Sequence, residues 1–567
     1  MTIDWDVEVP MRDGLVLRAD VFRPQEPGNY PVILSMGAYG KGLHFEEGFA
    51  SYWRDMVEAF PEIAEGTSNR YQNWELVDPE KWVPDGYVCI RVDSRGAGRS
   101  PGFLDPQSQI ETRDFYDCIE WAGVQPWSNG KVGLLGISYY AMNQWQVAAL
   151  QPPHLAAICV WEGFSDYYRD KVRHGGIMND FLDGWFNKQV ARVQHGVGDR
   201  GFIDPNTGYP VAGDTRLSED ELRENRGDPA GNVKARRLDG AYYAERTPDL
   251  SRIQVPLLSA GNWGGMGLHT RGNVEGFVAA GSTQKWLEMH GDTHFSPFYT
   301  DRGIALQKQF FGTFLKKEDN GWLDRPAVEV LVRHPGEKFT SRFEEAWPLP
   351  GTVWTKFYLD PHENALTKEP TSAEPVGYQT MGDGVRFSLP VTDHAREFTG
   401  HAALRLSLSS STVDADVFVV LQLFDPQGEE VTFIGSNDPR VPVGLGWLRA
   451  SHRALDPDRS TPYRPYHAHK QSQLLEPGVP VSLDIEIWPT SIVVPPGYRL
   501  DLVVRGRDYK NSDTEIADAM YTTQGVGPFT HSDPVDRPAE VFDTVNHLHF
   551  DPADPPYLLL PEIKATN

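Results

Sequence analysis

A short strand pattern runs straight into a helical one at residues 131–150, with a serine at the corner, and this limits the folds open to the chain more than any other feature. Residues 131–136 read as a buried strand and 141–150 as a helix, so Ser138 falls on a tight turn that holds its hydroxyl out of the sheet. Gly136 lets strand and helix approach. The motif Gly136-Ile137-Ser138-Tyr139-Tyr140 is G-x-S-x-x, with Tyr140 where a second glycine of G-x-S-x-G would stand. A corner of this kind belongs to a parallel sheet with helices on its faces, and it is where such a sheet exposes a nucleophile.

The flanking sequence supplies the rest of that sheet. Residues 7–10 and 15–22 read as a hairpin around Arg12-Asp13-Gly14, and 31–35, 87–92 and 155–161 as interior strands. Residues 110–122 carry Phe115, Ile119 and Ala122 at helical spacing. Residues 164–250 switch to short aromatic and charged stretches broken by Gly, Asp and Pro, and are expected to form a helical cap inserted into the sheet. The strand series resumes at 255–260 and 285–290, followed by a helix over 303–316. From residue 326 helical spacing vanishes, and alternating strands such as 404–408, 417–424, 481–487 and 500–505 predict an all-β domain of jelly-roll type. The expected division is therefore 1–163 and 251–325 for an α/β core, 164–250 for the insertion and 326–567 for the β domain.

With 53 Lys+Arg against 79 Asp+Glu the chain carries a net charge of −26, which disfavours nucleic acid and anionic membranes as partners. The start lacks a basic and apolar leader pattern, and no apolar run reaches the roughly 18 residues of a membrane span. A cytoplasmic protein, with homo-oligomerisation left open, is expected. Cys89, Cys118 and Cys159 are odd in number and lack C-x-x-C spacing, so neither a disulfide framework nor a structural zinc site is expected.

A serine hydroxyl needs a base, an acid to orient that base, and donors for the oxyanion that develops. His294 follows the strand at 285–290 and is the expected base; His290, on the strand end, competes with it. The backbone N–H of Tyr139 is the expected first oxyanion donor, and Tyr39, in the glycine-bearing loop after the first interior strand, is the candidate for the second, through its phenol O–H or its N–H. An acyl pocket is expected from Tyr140, Trp161, Trp185, Phe186, Trp263 and Met266. The spacing His290-x-Asp292-x-His294 would also suit a divalent ion, but it lacks a second set of ligands, and no metal or cofactor is expected.

Taken together, these motifs resemble the cocaine-esterase-like (CocE/NonD) hydrolases, relatives of X-Pro dipeptidyl peptidases and α-amino-acid ester hydrolases. The resemblance rests on Tyr39, on Asp93-Ser94-Arg95-Gly96-Ala97-Gly98-Arg99-Ser100, on Glu111-Thr112-Arg113-Asp114, on Gly136-Ile137-Ser138-Tyr139, on His294, and on Gly446-Trp447-Leu448-Arg449 and Trp488-Pro489-Thr490-Ser491. It implies an α/β-hydrolase core with an inserted helical cap and a C-terminal jelly roll, and a metal-free serine mechanism through an acyl-enzyme on an ester or amide, with Tyr39 and the Tyr139 amide as the oxyanion hole. An X-Pro-type peptidase or an acyltransferase is the alternative on the same scaffold. The family pattern places an aspartate after the strand at 255–260, where this chain has Gly264. Glu162 is the expected replacement, with Asp166, Asp292 and Glu275 as alternatives. A non-catalytic binding protein with a decayed triad is the other reading of that departure.

Overall fold

The computed structural model describes residues 1–511, 521 and 523–564. Its first half is built on a ten-stranded sheet in the order β1-β2-β4-β3-β5-β6-β7-β8-β9-β10. These strands are β1 (Thr2–Pro10), β2 (Val16–Arg23), β3 (Tyr30–Gly37), β4 (Val88–Asp93), β5 (Ser128–Ile137), β6 (Leu155–Trp161), β7 (Leu257–Asn262), β8 (Lys285–His290), β9 (Val328–His334) and β10 (Lys338–Glu344). The hairpin expected from the sequence pairs antiparallel with Val9 opposite Leu17, and β3 to β9 run parallel. Interior strands covered on both faces have no polar side to show, which is why 31–35 and 87–92 read as continuous apolar runs.

Helix α1 (Gln109–Gly123) starts at Ser108, whose side chain accepts the N–H of Glu111, and it buries Phe115, Cys118, Ile119 and Ala122. Helix α2 (Tyr139–Ala148) is buried all round. Helices α3 (Thr270–Ala279) and α4 (Asp301–Phe311) complete the cover of the later strands. The three cysteines are free and buried.

Two expectations change in detail. The strands β9 and β10 lie beyond residue 326, yet they extend the first sheet, because an alternating strand pattern does not say which sheet it joins. The segment 164–250 holds short helices, the longest being the seven residues Pro229–Ala235, and a small hairpin in which Arg173–His174 pairs with Ile177–Met178.

The C-terminal half is a twelve-stranded, mostly antiparallel sheet. Its long strand Arg396–Ser410 pairs with Val481–Val494, Val545–Phe550 and Tyr557–Ile563, so the sheet folds back on itself around an apolar core. A separate hairpin of this half, β11 (Phe433–Gly435) and β12 (Asp438–Val441), reaches away from that sheet. Among the described residues no helix is long and apolar enough to cross a membrane.

Candidate active site

Ser138 sits between β5 and α2 with φ 58° and ψ −109°, a region that L-residues rarely occupy. The strain is held by its surroundings: its N–H donates to Trp161 O at 3.1 Å, and its carbonyl accepts from Ala141 and Met142. Gly136 is required here, since a Cβ would lie 2.4 Å from the Cβ of Tyr140. Tyr139 opens the helix, where a backbone N–H has no intrahelical acceptor.

Four further side chains converge near Ser138. His294 Nδ1 lies 2.7 Å from Glu162 Oε2, and His294 Nε2 lies 3.2 Å from Glu75 Oε1. Ser138 Oγ itself lies 3.2 Å from His269 Nε2. The rings of His269 and His294 stack in parallel, 5.2 Å apart at 2°. Glu162 directly follows β6 with φ 49°, and its second oxygen faces His290 Nε2 at 3.4 Å and the Asn262 amide at 3.2 Å. His290 Nδ1 is 2.6 Å from Glu288 Oε2. Asp166 instead caps the turn after it and pairs with Arg169, Asp292 accepts from the N–H of Thr293, and Glu275 pairs with Arg464.

Burial and pairing set the charges. Burial pulls His294 down, but Glu162 and Glu75 outweigh it and raise its pKa to about 9. Burial alone would raise Glu162, and the two histidines overcome that and hold it well below the usual carboxylate range. Burial dominates at Glu75, where His294 offsets it only in part, and the pKa rises to about 7. His269 goes the other way, pulled well below the usual histidine value by burial and by His294. Its Nδ1 has no partner among the described residues, so His269 is a neutral ring.

Tyr39 accepts the indole N–H of Trp185 at 2.7 Å, which leaves its own O–H to donate, and burial keeps the phenol protonated. The Tyr139 side chain is occupied elsewhere, donating to Glu111 at 2.6 Å. Ser138, Tyr39, Glu75, His269 and His294 line one narrow cavity of about 20 Å³, walled by aromatics that include Trp74, Trp185, Phe295 and Tyr521.

Of the six aromatic and apolar residues expected in the pocket, only Trp185 is on this wall. Tyr140 packs under Gly37. Trp161 stacks on His290. Phe186 lies in the core beneath Arg226. Trp263 donates to Leu331 O beside Trp347. Met266 joins the core of the C-terminal half. Aromatic content marks a buried position without saying which buried surface it faces. Glu75 and His269 went unnoticed in the sequence because both lie on connections without periodicity. Among the described residues no group of three or more His, Cys, Asp or Glu side chains could hold a metal ion.

Comparison with known proteins agrees with this architecture. Residues 13–296 match the X-Pro dipeptidyl-peptidase (S15 family) pattern, and residues 320–559 match the X-Pro dipeptidyl-peptidase C-terminal non-catalytic domain. A CocE/NonD family hydrolase of Staphylococcus aureus is 31% identical, with a TM-score of 0.84 over 99% of this chain and 94% of that one. The cocaine esterase of Rhodococcus sp. (strain MB1 Bresler) is 24% identical over 99% of this chain and 98% of that protein. An α-amino acid ester hydrolase, 16% identical with a TM-score of 0.70, shares the fold. An elbow serine, a carboxylate-bound histidine and matches along nearly the whole chain agree: the chain belongs to the X-Pro dipeptidyl-peptidase (S15) family, among its CocE/NonD-like hydrolases.

Proposed function

We propose that the protein is a serine esterase that uses Ser138 as nucleophile, His294 as general base and Glu162 as the acid that orients it. The observation that carries this reading is a serine on a strained elbow in one cavity with a histidine whose Nδ1 faces a buried carboxylate at 2.7 Å. Ser138 Oγ attacks the carbonyl carbon while His294 Nε2 takes its proton. The Tyr39 O–H and the Tyr139 N–H hold the oxyanion, and His294 then returns the proton to the leaving alcohol. Water repeats the sequence on the acyl-enzyme and frees Ser138. The C-terminal sheet is read as a jelly roll.

His269 does not fit the role of base: without an acid on Nδ1 and with its pKa depressed, it cannot carry the proton. It holds the resting hydroxyl of Ser138, while Glu75 occupies Nε2 of His294. Attack therefore needs His294 to exchange Glu75 for Ser138. The cavity has room for about one water beside these side chains.

Fluorophosphonate labelling with peptide mapping tests the nucleophile, and the label is expected on Ser138. A panel of p-nitrophenyl esters, run beside peptides with free and blocked N-termini, separates esterase from X-Pro-type peptidase, and added alcohol acceptors report acyl transfer. The peptidase reading has its own support in the match of residues 13–296 to the X-Pro dipeptidyl-peptidase family and in relatives named putative Xaa-Pro dipeptidyl-peptidase. Labelling of another residue, or no labelling, overturns the proposal.

Glu75 also yields a pH prediction. It is one of two carboxylates that raise the pKa of His294, and the base must be neutral to accept a proton. Glu75→Gln removes one of them, so the pKa of His294 falls and the acid limb of kcat/KM moves to lower pH. The pH profile of the variant checks this, and an unmoved or raised limb contradicts it.

A further inference from the structure

The hairpin β11–β12 belongs to the C-terminal half, yet its turn is built into the hydrolase. Ser436 N–H donates to Gly264 O at 3.0 Å, and Ser436 O accepts from His294 N–H at 3.1 Å. The side chain goes further, with Ser436 Oγ donating to Glu162 Oε2 at 2.8 Å. That is the oxygen that faces His294 Nδ1. Next to it, Asn437 lines the cavity.

The hairpin can come this close only because of Gly264. A Cβ at 264 would lie 2.5 Å from Gly435 Cα and 2.8 Å from Ile434 O, both backbone atoms that cannot swing away. The hairpin is anchored on its own side as well: Ile434 N–H donates to Glu337, Phe433 lies under the Arg333 guanidinium at 4.2 Å, and Asp438 accepts from the N–H groups of Gly525 and Gly527. Its turn is therefore a fixed element.

We propose that Ser436 is a positioning residue that acts through Glu162. This rests on the assignment of Glu162 as the acid of the mechanism above. With Ser436 and His294 on Oε2, and Asn262 and His290 on Oε1, the carboxylate has donors on both oxygens and one orientation. The hydroxyl also draws off part of the charge on the oxygen that holds His294, so the imidazolium is held less tightly. The aspartate absent at 264 is thus replaced by a pair, a glutamate from the end of β6 and a hydroxyl from the C-terminal half that enters through the space the glycine leaves.

The test is a cycle of Ser436→Ala, Glu162→Gln and the double variant, read as kcat, KM and the pH profile of kcat/KM. In the wild-type background Ser436→Ala is expected to lower kcat about tenfold, with KM little changed, the size of losing one hydrogen bond to a charged group. The acid limb moves to higher pH, because Oε2 then holds the His294 proton alone. In the Glu162→Gln background the same substitution is expected to add no further loss, because it acts through a group already removed. An equal loss in both backgrounds marks Ser436 as structural and overturns the inference, as does an unaltered kcat in the single variant. If Glu162→Gln itself costs nothing, the assignment of the acid falls, and with it this inference.

Discussion

Ser138→Ala is expected to lower kcat by roughly 10⁶-fold, the scale of removing a nucleophile from a serine hydrolase. A residual acceleration of about 10³-fold over water should remain, because the substitution leaves the proposed oxyanion donors, the Tyr39 O–H and the Tyr139 N–H, in place. The variant should fold like the parent. Alanine and serine are both L-residues and meet similar strain at φ 58°, and among the described residues the side-chain hydrogen bond lost is the one to His269. Single-turnover ester hydrolysis, with circular dichroism as a folding control, measures the effect. Turnover within tenfold of wild type would rule out the serine mechanism.

Glu162→Gln is expected to cost about 10⁴-fold in kcat, the scale seen when the acid of a triad becomes an amide and the histidine is left in the wrong tautomer. The shape of the side chain is kept, and His290 retains Glu288 at 2.6 Å, so the strand ends should stay in place. The same variant separates the two histidines. The His269 ring bonds Ser138 through Nε2, and among the described residues its Nδ1 has no partner, so it takes no orientation from Glu162. A base at 269 would work almost unchanged in the Glu162→Gln variant, whereas a base at 294 would not. Steady-state kcat for a p-nitrophenyl ester decides between them.

The elements that could be read in advance were those with a period. Interior strands announce themselves as apolar runs, α1 by Phe115, Ile119 and Ala122, and the elbow by a strand that meets a helix at Ser138. The structure gathers Ser138, His294 and Glu162 at one place because chain order around a parallel sheet already puts the ends of β5, β6 and β8 on one edge. Glu75, His269 and Ser436 gave no such signal. Glu75 comes from the long connection between β3 and β4, His269 from a loop after β7, and Ser436 from a hairpin of the other half of the chain, far downstream of that strand. The pocket aromatics failed for a related reason, since burial is what composition reports and the cavity wall is a matter of which neighbour each ring faces. The boundary expected at 326 falls before β9 and β10 because an alternating strand pattern does not say which neighbour it pairs with.

The contact between Gly264 and Gly435 makes the two halves of this chain unsuited to exchange. A hydrolase with an aspartate at 264 would refuse the hairpin of this C-terminal half, whereas a side chain at 435 would first meet Val441 of its own hairpin, at 2.5 Å. For anyone assembling chimaeras in this family, the boundary to respect is therefore not the linker between domains but this contact, which needs glycine at 264 wherever the hairpin is kept.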